Sequence, residues 1–305
     1  MIKGLPTFPE FEKLSLTHKD ILRSIVYNFP SSDFNFSGLF TWDTTDSVMV
    51  SALNDNLVVR SSDYLTHSKF YSFIGDNKVD ETIKTIIDHA NSQGEDTKLR
   101  LITEKVASNI TRDKHLISED RDNHDYIYLV RDWVELKGKN YRGKRNLLHN
   151  FQRKYGVSVK EKELDLTDES IRNEIERVME KWQQARGKNS TEVRDEFKGI
   201  RKALEHHDAL DIKAFGIYHS NELIAFLLFE VLPNKVAIGH FEKADTIFEG
   251  VFVHLRHTLA KHLASMDIET FNTEQDLGVE GLRKSKESYH PHEFIKKYTV
   301  ERIKD

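Results

Sequence analysis

Three stretches near the end of the chain carry residue types suited to group transfer: Phe241-Glu242-Lys243-Ala244, Phe271-Asn272-Thr273-Glu274-Gln275-Asp276-Leu277-Gly278 and Gly281-Leu282-Arg283-Lys284-Ser285-Lys286. An amine must lose a proton before it attacks a carbonyl, and a positioned carboxylate such as Glu242, Glu274 or Asp276 can take it. A cation such as Lys243, Arg283 or Lys286 can neutralise the oxyanion that develops, and Asn272 can orient the substrate. The competing reading is a salt-bridged loop scaffold that staples the helix expected over residues 279–287. The two readings stand even on chemistry alone.

A second cationic group precedes these stretches. Residues 137–162 hold nine lysines or arginines and a single acid, Glu161. Residues 141–155 read as a helix with Arg142, Arg145, His149 and Arg153 on one face. Leu147, Leu148, Phe151 and Tyr155 fall on the other. One side should dock on the protein and the other offer cations, either to solvent or, with Lys144, Arg145 and Arg153, to the phosphates of a donor. Gly138-Lys139-Asn140-Tyr141-Arg142-Gly143-Lys144-Arg145 nearly matches the phosphate-cradling G-x-x-x-x-G-K-[ST] loop, but Arg145 replaces the hydroxyl that would hold magnesium. Nucleotide hydrolysis is therefore set aside. His290-Pro291-His292 lacks a third metal ligand at a diagnostic spacing and reads as a turn. His254, His257 and Lys261 share the polar face of one helix. Neither G-x-S-x-G nor G-x-G-x-x-G occurs.

These groups need elements to position them. In the first half, apolar residues at helical spacing mark a helix over 18–29 that Pro30 stops. Strands are expected at 47–53 and 56–61, around an Asn-Asp turn, and at 70–74. A helix at 79–90, a strand at 99–102, a short helix at 104–110 and a strand at 125–129 follow. In the second half, helices at 169–186 and 191–206 lead into strands at 212–218 and 222–232, joined across Ser220-Asn221, and a strand at 235–241. An amphipathic helix at 249–266, buried through Phe252, Leu255, Leu259, Leu263 and Met266, comes next. A strand at 268–272, a helix at 279–287 and a strand at 294–300 close the chain. Matching elements lie about 165–170 residues apart, which predicts an internal duplication. Ligands gather beyond strand carboxyl ends in such sheets, so Glu242 and the 272–286 group are expected to meet in a cleft of the second half.

The chain of 305 residues is long for one core, and a division into lobes 1–136 and 137–305 is expected. Cysteine is absent, which excludes disulfides, thiolate catalysis and cysteine-ligated metals. A net charge of −5 argues against a protein that coats polyanions, though not against one basic groove. The start lacks a signal-peptide pattern. The longest apolar run, residues 223–232, is broken by Glu230 and falls short of the ~20 residues of a membrane helix. A cytoplasmic protein is expected.

Several motifs together resemble a known family: Asp125-Tyr126-Ile127-Tyr128, Leu136-Lys137-Gly138-Lys139, Lys144-Arg145-Asn146 followed by Phe151, Phe241-Glu242-Lys243-Ala244, Glu274-Gln275-Asp276-Leu277-Gly278, the run Gly281 to Lys286, and Ser288-Tyr289. The chain is similar, over essentially its whole length, to the phosphatidylglycerol lysyltransferase C-terminal domain family of bacteria. The resemblance implies an α+β chain of two tandem GNAT-like acyltransferase folds, akin to Fem aminoacyl transferases. Each would be a mixed, mostly antiparallel sheet flanked by helices. It implies transfer of an aminoacyl group from aminoacyl-tRNA to an amine or hydroxyl of a lipid, peptide or small molecule. No other cofactor and no metal is expected, and any membrane contact would be peripheral. Acyl-CoA ranks lower as donor: Lys243-Ala244-Asp245-Thr246-Ile247-Phe248-Glu249-Gly250 replaces the glycine-rich pyrophosphate loop of that group. The alternative from another class is a non-catalytic module that binds an anionic ligand.

Overall fold

The structure, a computed structural model, describes residues 2–27, 31–64, 66–187 and 191–303. It contains two mixed seven-stranded sheets flanked by helices, an α+β architecture. The strands and helices of the first stretch are β1 (Glu12–Lys13), α1 (Lys19–Val26), α2 (Phe36–Trp42), β2 (Met49–Leu53), β3 (Asn56–Ser62), β4 (Lys69–Ile74), α3 (Val79–Ser92), β5 (Leu99–Thr103), α4 (Glu104–Ala107) and β6 (His115–Glu119). Then come β7 (Asp125–Leu129), α5 (Val130–Glu135), α6 (Arg142–Tyr155), β8 (Val159–Leu164), α7 (Glu169–Arg186), α8 (Thr191–Glu205) and α9 (His207–Leu210). The last stretch holds β9 (Lys213–His219), β10 (Glu222–Leu232), β11 (Val236–Ala244), α10 (Val251–Ser265), β12 (Thr270–Asn272), α11 (Glu280–Glu287), β13 (Glu293–Ile295) and β14 (Lys297–Arg302). The end of the first expected helix, with Phe29 and Pro30, lies outside the described residues.

The duplication is visible in the strand orders. The first sheet runs β1-β2-β3-β4-β5-β14-β6 and the second, read from its other edge, β8-β9-β10-β11-β12-β7-β13. In both, an antiparallel meander crosses through a helix to a parallel strand, β4 to β5 through α3 and β11 to β12 through α10. This is the GNAT-like connectivity. The strand beside that parallel partner comes from elsewhere in the chain: β14 lies antiparallel to β5, and β7 lies antiparallel to β12. The expected final strand over 294–300 is thus two strands in two sheets. The compact units follow this exchange rather than a cut at 136/137: one comprises Met1–Asp125, Gln275–Val279 and Phe294–Asp305, the other Tyr126–Glu274 and Glu280–Glu293.

Local chemistry explains the meanders. Asn54 and Asp55, and again Ser220 and Asn221, take positive φ (53°, 61°, 51° and 65°), the conformation two-residue hairpins require. Strand β10 is buried on both faces from Leu223 through Glu230, because α7 and α10 both pack on it. Helix α10 departs from the expected amphipathic pattern. Its Leu255, Leu259 and Leu263 are buried as expected, but so are His254 and His257 on the face read as polar. The His254 ring stacks on Phe151 of α6 at 4.5 Å, and Nδ1 of His257 lies 2.9 Å from the Trp133 carbonyl oxygen. Elements missed in sequence include α2, whose residues Phe36 to Thr41 are all buried and so show no polar face, and β8, an edge strand whose Lys-Glu alternation is exposed.

Candidate functional site

In the second unit, β11 pairs with β12 only from Val236 to Ile238. Beyond that point β11 carries a bulge: Phe229 of β10 faces Gly239 and Leu228 faces Phe241, leaving His240 as the extra residue. Bulges re-aim side chains and recur beside functional sites. Here the bulge turns His240 between two carboxylates, with Nε2 3.1 Å from Glu230 Oε1 and Nδ1 2.9 Å from Glu274 Oε1. Burial alone would lower the imidazole pKa. The hydrogen bonds and charges of Glu230 and Glu274 outweigh it and push the value up to about 10. His240 is therefore an imidazolium at neutral pH, and Glu230, fully buried in the apolar strand β10, has a cation beside it. Glu274 sits in a turn with φ 60°, its N–H donating to Asn272 Oδ1 at 2.7 Å.

The other expected residues of this unit are engaged internally. Glu242 accepts a bidentate guanidinium from Arg256 of α10, Nε to Oε1 at 3.0 Å and Nη2 to Oε2 at 2.5 Å. Lys243 is buried against Glu196 of α8, its ammonium 4.4 Å from the centre of the Trp182 ring. Lys286 is buried and donates to the backbone oxygens of Thr273 and Glu274. Arg283 is half-buried on α11.

On α6, Arg145 turns back to the carbonyls of Leu136 and Gly138. Lys144 donates to Ser288 Oγ at 2.7 Å and lies 3.8 Å above the Tyr289 ring, which also carries Arg256 at 4.7 Å. Burial, then the neighbouring Arg256 charge, lower the Lys144 pKa to about 8. Gly143 and Lys144 are therefore part of a helix, and no phosphate-cradling loop forms around them. Arg142 and Arg153 are exposed cations of the face that the spacing predicted, with His149 exposed between them.

Asp276 belongs to the first unit, apart from Glu242 and Glu274. Its carboxylate is fully buried, 3.3 Å from Arg121 Nη1, with Oδ1 accepting the Gly278 N–H at 2.8 Å. The three expected acids thus do not assemble within one unit.

The first unit holds a cleft of about 470 Å³. It opens where β4 and β5 part, having paired only at Tyr71 and Leu99. Strand β5 bulges there: Val300 faces Leu99 while Tyr298 faces Ile102, and Leu101 takes φ 57°. A leucine in that region is strained, a cost met by surrounding structure and concentrated at functional sites. Arg100 and Leu101 line the cleft beside five carboxylates, Asp33, Asp63, Glu119, Asp120 and Asp122, with Lys98 the other cation. At its wall Asp33 joins a buried set. Lys297 of β14, with no exposed surface, bridges the carboxylates of Asp33 and Asp125. Ser32 donates to Asp125 through its N–H at 2.8 Å and its hydroxyl at 2.7 Å, and Gln275 donates to Asp33 Oδ1 at 2.5 Å. Burial raises the Asp33 pKa to about 6 despite the lysine, with Asp125 pushing the same way.

The sequence profile of the phosphatidylglycerol lysyltransferase C-terminal family matches residues 26–301. The chain belongs to this family. An uncharacterised protein of Mycoplasmoides gallisepticum is 26% identical over 197 residues, 63% of this chain and 59% of that protein, so the match spans less than two thirds of the relative. A conserved protein of unknown function from Bacteroides thetaiotaomicron has a similar structure, with a TM-score of 0.81 at 23% identity, covering 96% of this chain and 99% of that one. The C-terminal domain of a putative lysylphosphatidylglycerol synthetase from Agrobacterium fabrum superposes at 0.63 (15% identity, 94% and 92% covered). L-PGS from Bacillus licheniformis does so at 0.63 (13%, 98% and 94%). These likenesses establish the fold. Family membership and the GNAT-like fold support a function of the acyltransferase type.

Residues that sequence reasoning missed are Glu230, His240 and Arg256 in the second unit and Asp33, Asp125 and Lys297 in the first. A signal existed for two of them. Glu230 interrupts the apolar run of β10, and His240 interrupts the apolar start of β11. A polar residue inside a doubly buried strand needs a partner. Among the described residues, no group of three or more His, Asp or Glu is arranged to hold a metal, and no helix is long and apolar enough to cross a membrane.

Proposed function

We propose that the chain transfers an amine-bearing acyl group, an aminoacyl ester of tRNA, to an amine or hydroxyl acceptor, and that the first-unit cleft receives that group. The observation that carries this reading is the lining of the cleft, five carboxylates against two cations, which suits a ligand with one or two ammonium groups. Asp33 at its wall takes the part of base. Glu242 and Asp276, the acids expected in that part within a cleft of the second half, do not line this cleft, and each is held by a guanidinium, of Arg256 and of Arg121. With its pKa raised to about 6, Asp33 is mostly ionised at neutral pH yet basic enough to accept a proton. The acceptor loses its proton to Asp33 while its lone pair bonds to the ester carbonyl carbon. The ribose oxygen leaves as the carbonyl re-forms and takes from Asp33 the proton that the acceptor gave up. Lys297, held between Asp33 and Asp125, keeps Asp33 oriented. The exposed Arg142 and Arg153 of α6 offer a cationic face to a polyanionic donor, a contact that salt should weaken.

The test is label transfer from a full set of aminoacyl-tRNAs to lipid, peptide and small amine acceptors. Transfer from at least one donor, reduced at least a hundredfold in Asp33→Asn with an unchanged circular dichroism spectrum, is expected. The reading fails if no aminoacyl-tRNA loses its label, or if Asp33→Asn transfers at the wild-type rate.

A further inference from the structure

Three turns of the second unit meet at one tip. The 3-10 turn Gly156–Ser158 closes α6, the hairpin turn Ser220-Asn221 joins β9 to β10, and residues 245–250 join β11 to α10. The Ser220 N–H donates to the Ser158 carbonyl at 2.9 Å. Three rings meet there edge-on or tilted in a triangle: Tyr155 to Phe248 at 5.2 Å, His219 to Phe248 at 5.1 Å and Tyr155 to His219 at 5.7 Å. Two of these turns each carry an aliphatic side chain held out in solvent. Val157 is 103% exposed and Ile247 76%. Lys154 and Lys160 are exposed on the adjoining elements, Lys154 feeling the charge of Glu249 and Lys160 lying 3.5 Å from Asn221 Oδ1 of the hairpin turn.

Single exposed aliphatics are ordinary. Two on adjoining turns, beside half-buried aromatics and with Lys154 and Lys160 exposed on the flanking elements, form an arrangement with a specific complement. We propose that this tip is a membrane-docking surface that places Val157 and Ile247 at the headgroup–acyl boundary of an anionic lipid bilayer. The aromatic base sits at the level where amphipathic rings are favoured, and Lys154 and Lys160 reach lipid phosphates while their stems lie along apolar surface. RNA is a poorer complement: valine and isoleucine offer neither a stacking face nor a hydrogen bond to a base. A second copy is also poorer, since two side chains fall far short of the ~1,200 Å² that a stable interface buries. This docking requires nothing of the acyl-transfer cleft, which lies in the other unit.

The test is co-sedimentation of the intact chain with vesicles of equimolar phosphatidylglycerol and phosphatidylcholine, and with vesicles of phosphatidylcholine alone. Binding to the anionic vesicles that weakens with salt is expected, with little to the neutral ones. The Val157→Asp/Ile247→Asp variant should lose at least about tenfold in partition, and Lys154→Glu and Lys160→Glu about fivefold each. Both aliphatics are solvated in the fold, so the melting temperature should hold. The proposal is overturned if the wild-type chain stays in the supernatant, or if the double aspartate variant binds as tightly as wild type. It is equally overturned if the lysine variants lose tRNA binding while vesicle partition is unchanged, which would make the tip an RNA contact.

Discussion

Replacing His240 with leucine should be among the most damaging single changes in the second unit. The substitution keeps volume roughly constant, so packing loss is small. What it removes is the cation between Glu230, which has no exposed surface, and Glu274. Breaking a buried pair by deleting one partner costs about 3–5 kcal/mol, because the other charge stays behind. Titration gives a consistent figure. The His240 pKa rises from 6.5 to about 10, and at ~1.36 kcal/mol per unit this is on the order of 5 kcal/mol of folded-state preference. Because the folded pKa is the higher one, that stability is fully present below pH 6.5. It is lost as pH climbs from there through about 10. Urea unfolding followed by tryptophan fluorescence, with Trp133 and Trp182 both in this unit, should therefore show a wild-type advantage over His240→Leu of about 3–5 kcal/mol at pH 6 that shrinks toward pH 10. Adding Glu230→Leu to the variant should recover much of the loss, since both members of the pair are then apolar. A cost under about 1 kcal/mol at pH 6, or a double variant as unstable as the sum of its singles, would refute the reasoning.

Lys144 should react with amine-directed acylating reagents well below the pH at which exposed lysines do, with a midpoint near 8, which peptide mass spectrometry across pH reads. Transfer activity should rise with an inflection near pH 6 as Asp33 ionises, and lose that inflection in Asp33→Asn, as a pH–rate profile would show. Gly239→Ala should cost roughly 1–3 kcal/mol, because a Cβ there would stand 2.6 Å from the buried Phe271 ring, whereas Gly143→Ala, facing open space on α6, should stabilise by roughly 0.5–1 kcal/mol; thermal melts distinguish them.

Both hairpins were legible because Asn54-Asp55 and Ser220-Asn221 carry residues that tolerate positive φ between apolar runs. The cationic face of α6 was legible because helical spacing alone decides which residues share a side. Roles within the candidate site were less so. Glu242, Glu274 and Asp276 look alike in a sequence. What separates them is Arg256 one helix away, His240 lifted by a bulge, and Arg121 in the other unit, all products of register and packing. Asp33 has no periodic context, and its partners Asp125 and Lys297 lie 92 and 264 positions further along. The strand exchange left no trace either, since β7 and β14 have the local pattern of any strand, and neighbouring strands in a sheet are not written in chain order.

That exchange limits how the chain can be divided. The slot between β5 and β6 is filled by β14, Lys297–Arg302, and without it the first sheet has a gap with backbone N–H and C=O groups unanswered on both sides. Neither half can be cut out as an independently folding piece: a fragment ending before residue 297 lacks a strand, and one starting after 129 lacks its counterpart.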